Sequence, residues 1–182
     1  MTFPSRNDES HLYFITASIC GWKEILSRME YVNIVLEALS TYRNNSTILL
    51  FAFVIMPTHM HAILKPRKDS IGHFLQQFGS VTAHRIIQEL KKSNSIDLLE
   101  FFHQSRRDPR SKYSIWQDIQ AKNIYSVEFL NQKMEYIHSN PVSGKWKLAQ
   151  ERCLYPVSSA VYYDLGKTPI IEIDDIREYL SI

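Results

Sequence analysis

Nine residues in succession, Ile48 to Met56 (ILLFAFVIM), carry no polar side chain. A run this apolar, bounded by Asn44-Asn45 on one side and Pro57-Thr58 on the other, reads as a strand over 47–56 buried on both faces. The Pro-Thr pair makes a tight connection into a second strand, His59 to Lys65. The other elements must cover these two strands. His11 to Ile19 is β-rich and reads as a strand. From Trp22 to Tyr42 the apolar residues Ile25, Met29, Val32, Leu36 and Leu39 recur at helical spacing. A second helix is predicted over 70–92, with Phe74, Phe78, Val81 and Ile86 on its apolar side. IDLLEFF reads as a short helix or a strand, and 114–125 as a region holding a short strand. A helix then runs from the N-cap Ser126 to Ser139 and stops before Pro141, because the residue preceding proline resists helical geometry. Irregular packing follows around Trp146, Tyr155-Pro156 and Tyr162-Tyr163, with a short helix near 174–180. The order strand, helix, strand, strand, helix, strand matches an α+β, ferredoxin-like split βαβ antiparallel sheet with helices on one face. The helix over 126–139 is an addition to that core. Residues 1–10 are expected to be a flexible N-terminus, 11–163 one domain, and 164–182 an acidic C-terminal tail.

Apolar residues at 45% and charged residues at 22% are globular values and exclude wholesale disorder. Cys20 and Cys153 alone cannot build a disulfide framework or a four-cysteine zinc site. The first 15 residues carry charges where a secretory signal needs an apolar core, and the apolar run is too short to span a bilayer. A cytoplasmic location with no membrane partner is therefore expected. The net charge of +2 hides an asymmetry. Residues 65–112 hold ten basic and five acidic side chains, while 164–182 hold five acidic and two basic. That contrast fits a polyanion partner, or a solvated surface.

Strand side chains alternate, so His59 and His61 point one way while Met60, Ala62 and Leu64 supply the opposite, core-facing side. Two imidazoles on one face make a two-toothed metal ligand, or a plain surface pair. On the last predicted helix Val127, Leu130, Met134 and Ile137 mark the buried stripe. Phe129, Lys133, Tyr136 and Asn140 fall on the stripe beside it, where a group at a cleft edge would sit. Tyr136 reads as a cleft group or as half-buried packing, and Asn140 as a cleft group or a helix end.

The segment VIMPTHMHAILKP followed by YIHSNPV resembles the REP-associated tyrosine transposases, within the larger group of single-tyrosine HUH transposases. LQQFGSVTAHRI, the pair Trp116-Gln117 and YPVSSAVYY fall in the same order, so the resemblance covers roughly residues 11–163. It implies that His59 and His61 hold a divalent ion, Mg²⁺ or Mn²⁺, and that Asn140 completes the site. It implies that Tyr136 attacks a phosphodiester of single-stranded DNA, becomes linked to the 5′ phosphate and frees a 3′ hydroxyl. The implied partner is single-stranded or hairpin DNA, the implied assembly a monomer or homodimer, and the implied location nucleoid-associated. By general ligand preference two imidazoles suit zinc and other transition metals better than magnesium. Two departures stand out: no histidine follows Trp116-Gln117 until His138, and Gly79-Ser80 stands where many relatives have Lys-Ser. Lys65, Arg67, Lys68, Arg85, Lys91, Lys92, Arg106, Arg107, Arg110 and Lys112 are the expected DNA-binding cations, with Tyr113 or Trp116 as base-stacking aromatics. The rival readings are a hairpin DNA or RNA binder without cleavage and a metal-dependent nuclease that uses water.

Overall fold

The structure, a computed structural model, describes residues 11–181; the segment 1–10, expected to be flexible, lies outside the described residues. Four strands form one sheet: β1 Leu12–Ile19, β2 Ile48–Met56, β3 His59–Pro66 and β4 Trp116–Ile124. Their order is β2-β3-β1-β4 and every neighbouring pair is antiparallel. Helix α1 (Met29–Asn44) joins β1 to β2, and α2 (Ile71–Lys92) with α3 (Ile96–Gln104) joins β3 to β4. This is the split βαβ, ferredoxin-like arrangement.

The apolar stripes of α1, α2 and α3 pack on the sheet face that carries Met60, Ala62 and Leu64. Helix α4 (Val127–Ser139) lies on the other face, with Leu130 and Ile137 against Phe14, Val54 and Ile63. Ser126 caps it, its Oγ accepting the Phe129 amide at 3.1 Å. Helix α1 starts seven residues later than its periodicity predicts. The cause is Gly21 and Trp22, both left-handed at φ +59° and +54°, which divert the chain into two 3₁₀ turns before the helix begins. A further helix, α5 (Ala160–Leu165), forms where irregular packing was expected, and α6 (Ile176–Ser181) closes the chain.

β2 is buried on both faces, yet it is an edge strand rather than a central one. The C-terminal segment is what hides it. The Ile55 amide donates to Val157 O at 3.0 Å, and Ser159 N donates to Phe53 O at 3.0 Å. The Phe53 amide reaches Ser159 Oγ at 3.0 Å, and the Tyr163 hydroxyl donates to Phe51 O at 2.8 Å. Further along, Leu50 N donates to Asp174 Oδ2 at 2.9 Å and Asp174 N to Leu50 O at 2.7 Å. Asp174 also pairs with Arg43 of α1 at 3.1 Å. The acidic C-terminal stretch is thereby built into the domain, satisfying backbone groups that an edge would otherwise present.

Candidate active site

Pairing register lines up the site in rows. His61 sits opposite Thr16, which sits opposite Gln120; His59 sits opposite Ser18, which sits opposite Asp118; Ile63 sits opposite Phe14, which sits opposite Lys122. Side chains directly opposite share a face, so these rows lie on the face under α4; Asp118, at the exposed end of its row, accepts from the Gln120 amide and does not line the cavity. Phe14 stacks on His61 with ring centroids 5.2 Å apart and planes 19° apart. The His59 and His61 rings are 4.9 Å apart.

Each imidazole is oriented by a hydroxyl. Thr58 Oγ1 lies 2.9 Å from His59 Nδ1, and Thr16 Oγ1 lies 3.0 Å from His61 Nδ1. Where Nδ1–H donates to these hydroxyls, the Nε2 lone pairs are left for a ligand. His61 Nε2 is buried with no hydrogen-bond partner. Burial holds the His59 pKa below its ordinary value, with the Lys145 charge adding to the effect. Burial, helped by neighbouring His59 and Lys133, pushes His61 down to about 3. Both rings are therefore neutral at pH 7 and able to donate a lone pair.

Helix α4 brings two more groups. The Tyr136 ring meets His61 edge-on with centroids 5.0 Å apart, yet the residue is 47% exposed. Asn140, one turn on, is 7% exposed and lies just past the end of α4, where a 3₁₀ turn Asn140–Val142 continues into Pro141. His59, His61, Tyr136 and Asn140 line one cavity of about 660 Å³. The donor set of two neutral imidazoles and one amide oxygen fits a divalent ion that keeps open positions. Among the described residues no group of three His, Cys, Asp or Glu side chains converges, so a closed carboxylate or thiolate cage is not built.

Among the described residues the same cavity is lined by Lys122, Lys133 and Lys145 and by no carboxylate. Lys133 Nζ lies over the rings of Phe14, Phe129 and Tyr136 at 4.8, 5.1 and 5.5 Å. None of these lysines was singled out for binding from the sequence. Helical spacing does place Lys133 on the cleft-edge stripe with Tyr136, one turn before it, whereas Lys122 and Lys145 join the site only through the strand register and the chain beyond α4.

The cations that were singled out lie elsewhere, and several are engaged. Lys65 Nζ donates to the Tyr179 hydroxyl at 2.8 Å, and Lys68 Nζ to Asn45 O at 2.7 Å. Arg85 pairs with Glu37, Lys92 with Glu89 at 3.5 Å and Arg110 with Asp108 at 2.8 Å. Arg106 donates to His103 O at 2.6 Å. Arg67 follows β3, Arg107 lies in the loop after α3, and Lys91 and Lys112 lie over the Tyr113 ring at 5.8 Å. None of these ten lines the cavity. Of the aromatics expected to stack bases, Trp116 is committed to the fold: its Nε1 donates to Thr82 Oγ1 at 2.9 Å and its ring packs near Phe78. His138 is buried away from the cavity, its Nε2 2.9 Å from Ser159 Oγ. Burial, with the Arg152 charge, pushes it down to about 4.

No protein-family model and no curated protein matches the chain. Among solved structures the chain is similar to a REP-associated tyrosine transposase bound to a REP hairpin. The two are 17% identical with a TM-score of 0.63, over 97% of this chain and 93% of that one. A second similar structure is a candidate transposase from Deinococcus radiodurans R1, 16% identical with a TM-score of 0.46, over 75% of this chain and 95% of that one. The first likeness defines the class of fold: an α+β domain built like a REP-associated tyrosine transposase. No helix among the described residues is long and apolar enough to cross a membrane.

Proposed function

We propose that the chain is a REP-associated tyrosine transposase that nicks and rejoins single-stranded or hairpin DNA through Tyr136. The observation that carries this reading is the exposed phenol set against the His61 ring, in a cavity that the described residues line with three lysines and no carboxylate. A cavity of that charge suits a phosphodiester. His59, His61 and Asn140 would hold a divalent ion, Mg²⁺ or Mn²⁺. When bound, it supplies Lewis acidity and charge stabilisation at the scissile phosphate.

The chain's own residues do the rest. The Tyr136 oxygen forms a bond to phosphorus as the bond from phosphorus to the 3′ oxygen breaks. The products are a 5′-phosphotyrosine and a free 3′ hydroxyl, which ends with the proton the phenol gives up. One phosphoester replaces another, so the step is reversible and needs no nucleotide triphosphate; rejoining is the same step run backwards. Thr58 and Thr16 hold the imidazoles in orientation. The three lysines attract the DNA backbone, and α4 keeps the phenol one turn from Asn140. Exposure of Tyr136 lets a bulky polymer reach it.

The test is incubation with single-stranded hairpin oligonucleotides from the flanks of the protein's own gene, with and without Mn²⁺, followed by a denaturing gel. The expected result is a covalent protein–DNA adduct that is absent with Tyr136→Phe. Cleavage without an adduct would instead identify a nuclease using water, and hairpin binding without cleavage a domesticated binder. His59→Ala should lose metal affinity and adduct together; unchanged affinity in a metal titration would remove His59 from the ligand set.

A further inference from the structure

Two indoles meet at the His59 ring from opposite ends of the sequence. Trp22, in the turn after β1, contacts it edge-on with centroids 5.9 Å apart. Trp146, beyond α4, approaches it at 6.1 Å. Both line the cavity that holds Tyr136. Trp146 is half-buried against the core under α4, but Trp22 is 55% exposed, a large apolar surface left in water.

Trp22 is also held in a costly backbone conformation. Its φ of +54° is left-handed, which a bulky side chain rarely adopts. Strain of this kind persists where surrounding structure enforces it, and it concentrates at ligand sites. Here the enforcement is visible. The Cys20 amide donates to Ile115 O at 2.8 Å, and the Gly21 amide to Gln117 Oε1 at 3.1 Å. Phe101 of α3 packs so close to Gly21 that a Cβ there would lie 2.6 Å from its Cζ. The turn is thus clamped between β4 and α3, which fixes the indole at the cavity mouth. On the other side Trp146 carries Lys145 Nζ over its ring at 5.0 Å. A π-face beside a cation is the pairing that suits a nucleobase attached to a phosphate.

We propose that Trp22 and Trp146 form a stacking site for an unpaired nucleobase of single-stranded DNA, next to the phosphodiester that faces Tyr136. The proposal rests on the reading of single-stranded DNA as substrate and adds how the strand is gripped. Stacking accepts any base, so the site sets position along the strand rather than sequence. A base seated on the indoles next to His59 delivers its neighbouring phosphate to Tyr136. A base-paired nucleotide has its face covered and cannot enter, so the site selects the single-stranded extension of a hairpin over its stem.

The test uses the full chain without metal, so that no cleavage occurs, and hairpins whose single-stranded extension carries 2-aminopurine at each position in turn. One position is expected to be quenched on binding. Trp22→Ala and Trp146→Ala should remove that quenching and weaken binding about five- to a hundredfold, with Trp22→Phe restoring part of both. A blunt hairpin without an extension should bind all variants equally. Quenching and affinity that survive in folded Trp22→Ala and Trp146→Ala would overturn the proposal, as would an equal loss for the blunt hairpin. Should the variants fail to fold, abasic substitution at the quenched position is tested with the wild-type chain; affinity that is unchanged would overturn it likewise. Adduct formation in the presence of Mn²⁺ is read separately. An adduct with no stacking signature sinks this proposal alone, and a stacking signature with no adduct sinks the nicking mechanism alone.

Discussion

The two faces of the sheet are made from the same four strands and have opposite chemistry. Under α1, α2 and α3 the buried side chains are almost wholly apolar, with Tyr31, Phe74, Phe78 and Phe102 among the largest. Thr82 and the Tyr31 hydroxyl are buried polar groups on that side, and His11 is buried just before β1 with its Nε2 unpartnered. Under α4 and the C-terminal segment lie Ser18, Thr58, His59, His61, His138, Asn140, Ser158 and Ser159, all buried. Burying polar groups is costly unless each finds a partner. Most of these do, through hydroxyl–imidazole and hydroxyl–backbone hydrogen bonds, whereas His61 Nε2 does not. The difference teaches that one face supplies stability and the other is free to carry groups that stability alone would not select.

Substitutions can break this division of labour or sharpen it. The largest effect expected is Tyr136→Phe, which should lower adduct formation at least about 10³-fold while the melting temperature holds, because the hydroxyl lies on an exposed side chain. A substantial fall in melting temperature would mean that the phenol belongs to the core. Phe78→Ala, on the opposite face, should do the reverse: about 3–5 kcal/mol of unfolding free energy lost, read by denaturant titration, with metal affinity intact in the folded fraction.

The third expectation concerns pH. His138 titrates near 6.5 when unfolded and at about 4 when folded. Above pH 6.5 neither state is protonated and the group contributes no pH dependence. Between pH 6.5 and 4 the unfolded chain takes up a proton that the folded chain refuses, so stability falls as pH falls, by up to about 3 kcal/mol. His138→Gln should remove its share of that slope, leaving the share of His59 and His61, which burial also holds low; an unchanged curve would show that the buried His138 imidazole is not responsible. The smallest effect separates two sets of cations. Neutralising Lys122, Lys133 and Lys145 together should lower the salt slope of single-strand binding by about 2. Neutralising Arg106, Arg107 and Arg110 should lower it by less, since two of those three already have partners. Equal changes would place the DNA as firmly on the loop after α3 as on the cavity.

The parts of this arrangement that could be read in the sequence are those written in consecutive residues. β2 announces itself by nine apolar residues; strand alternation puts His59 and His61 on one face and a four-residue helical step puts Tyr136 and Asn140 on one stripe, while what these four would do is implied only by the family resemblance. Groups gathered from distant positions stay silent. Trp22 and Trp146, or Lys122 and Lys145, become neighbours of one cavity only after β1, β4 and α4 have found their register. The late start of α1 was hidden because apolar periodicity continues through Ile25 while the backbone at Gly21 and Trp22 does not. The edge position of β2 was hidden for a related reason. Its partners are a serine hydroxyl, a tyrosine hydroxyl and an aspartate, which look like surface residues in a list of letters.

The C-terminal seal on β2 has a practical consequence. A chain shortened after Leu165 would lose Asp174 and with it the hydrogen bonds to Leu50 and the ion pair to Arg43. It would uncover the Leu50 amide and carbonyl at one end of the β2 edge, where strand pairing with another chain could begin, while Val157, Ser159 and Tyr163 would still cover the edge from Phe51 to Ile55. The acidic stretch that reads as a tail in the sequence thus closes one end of that edge.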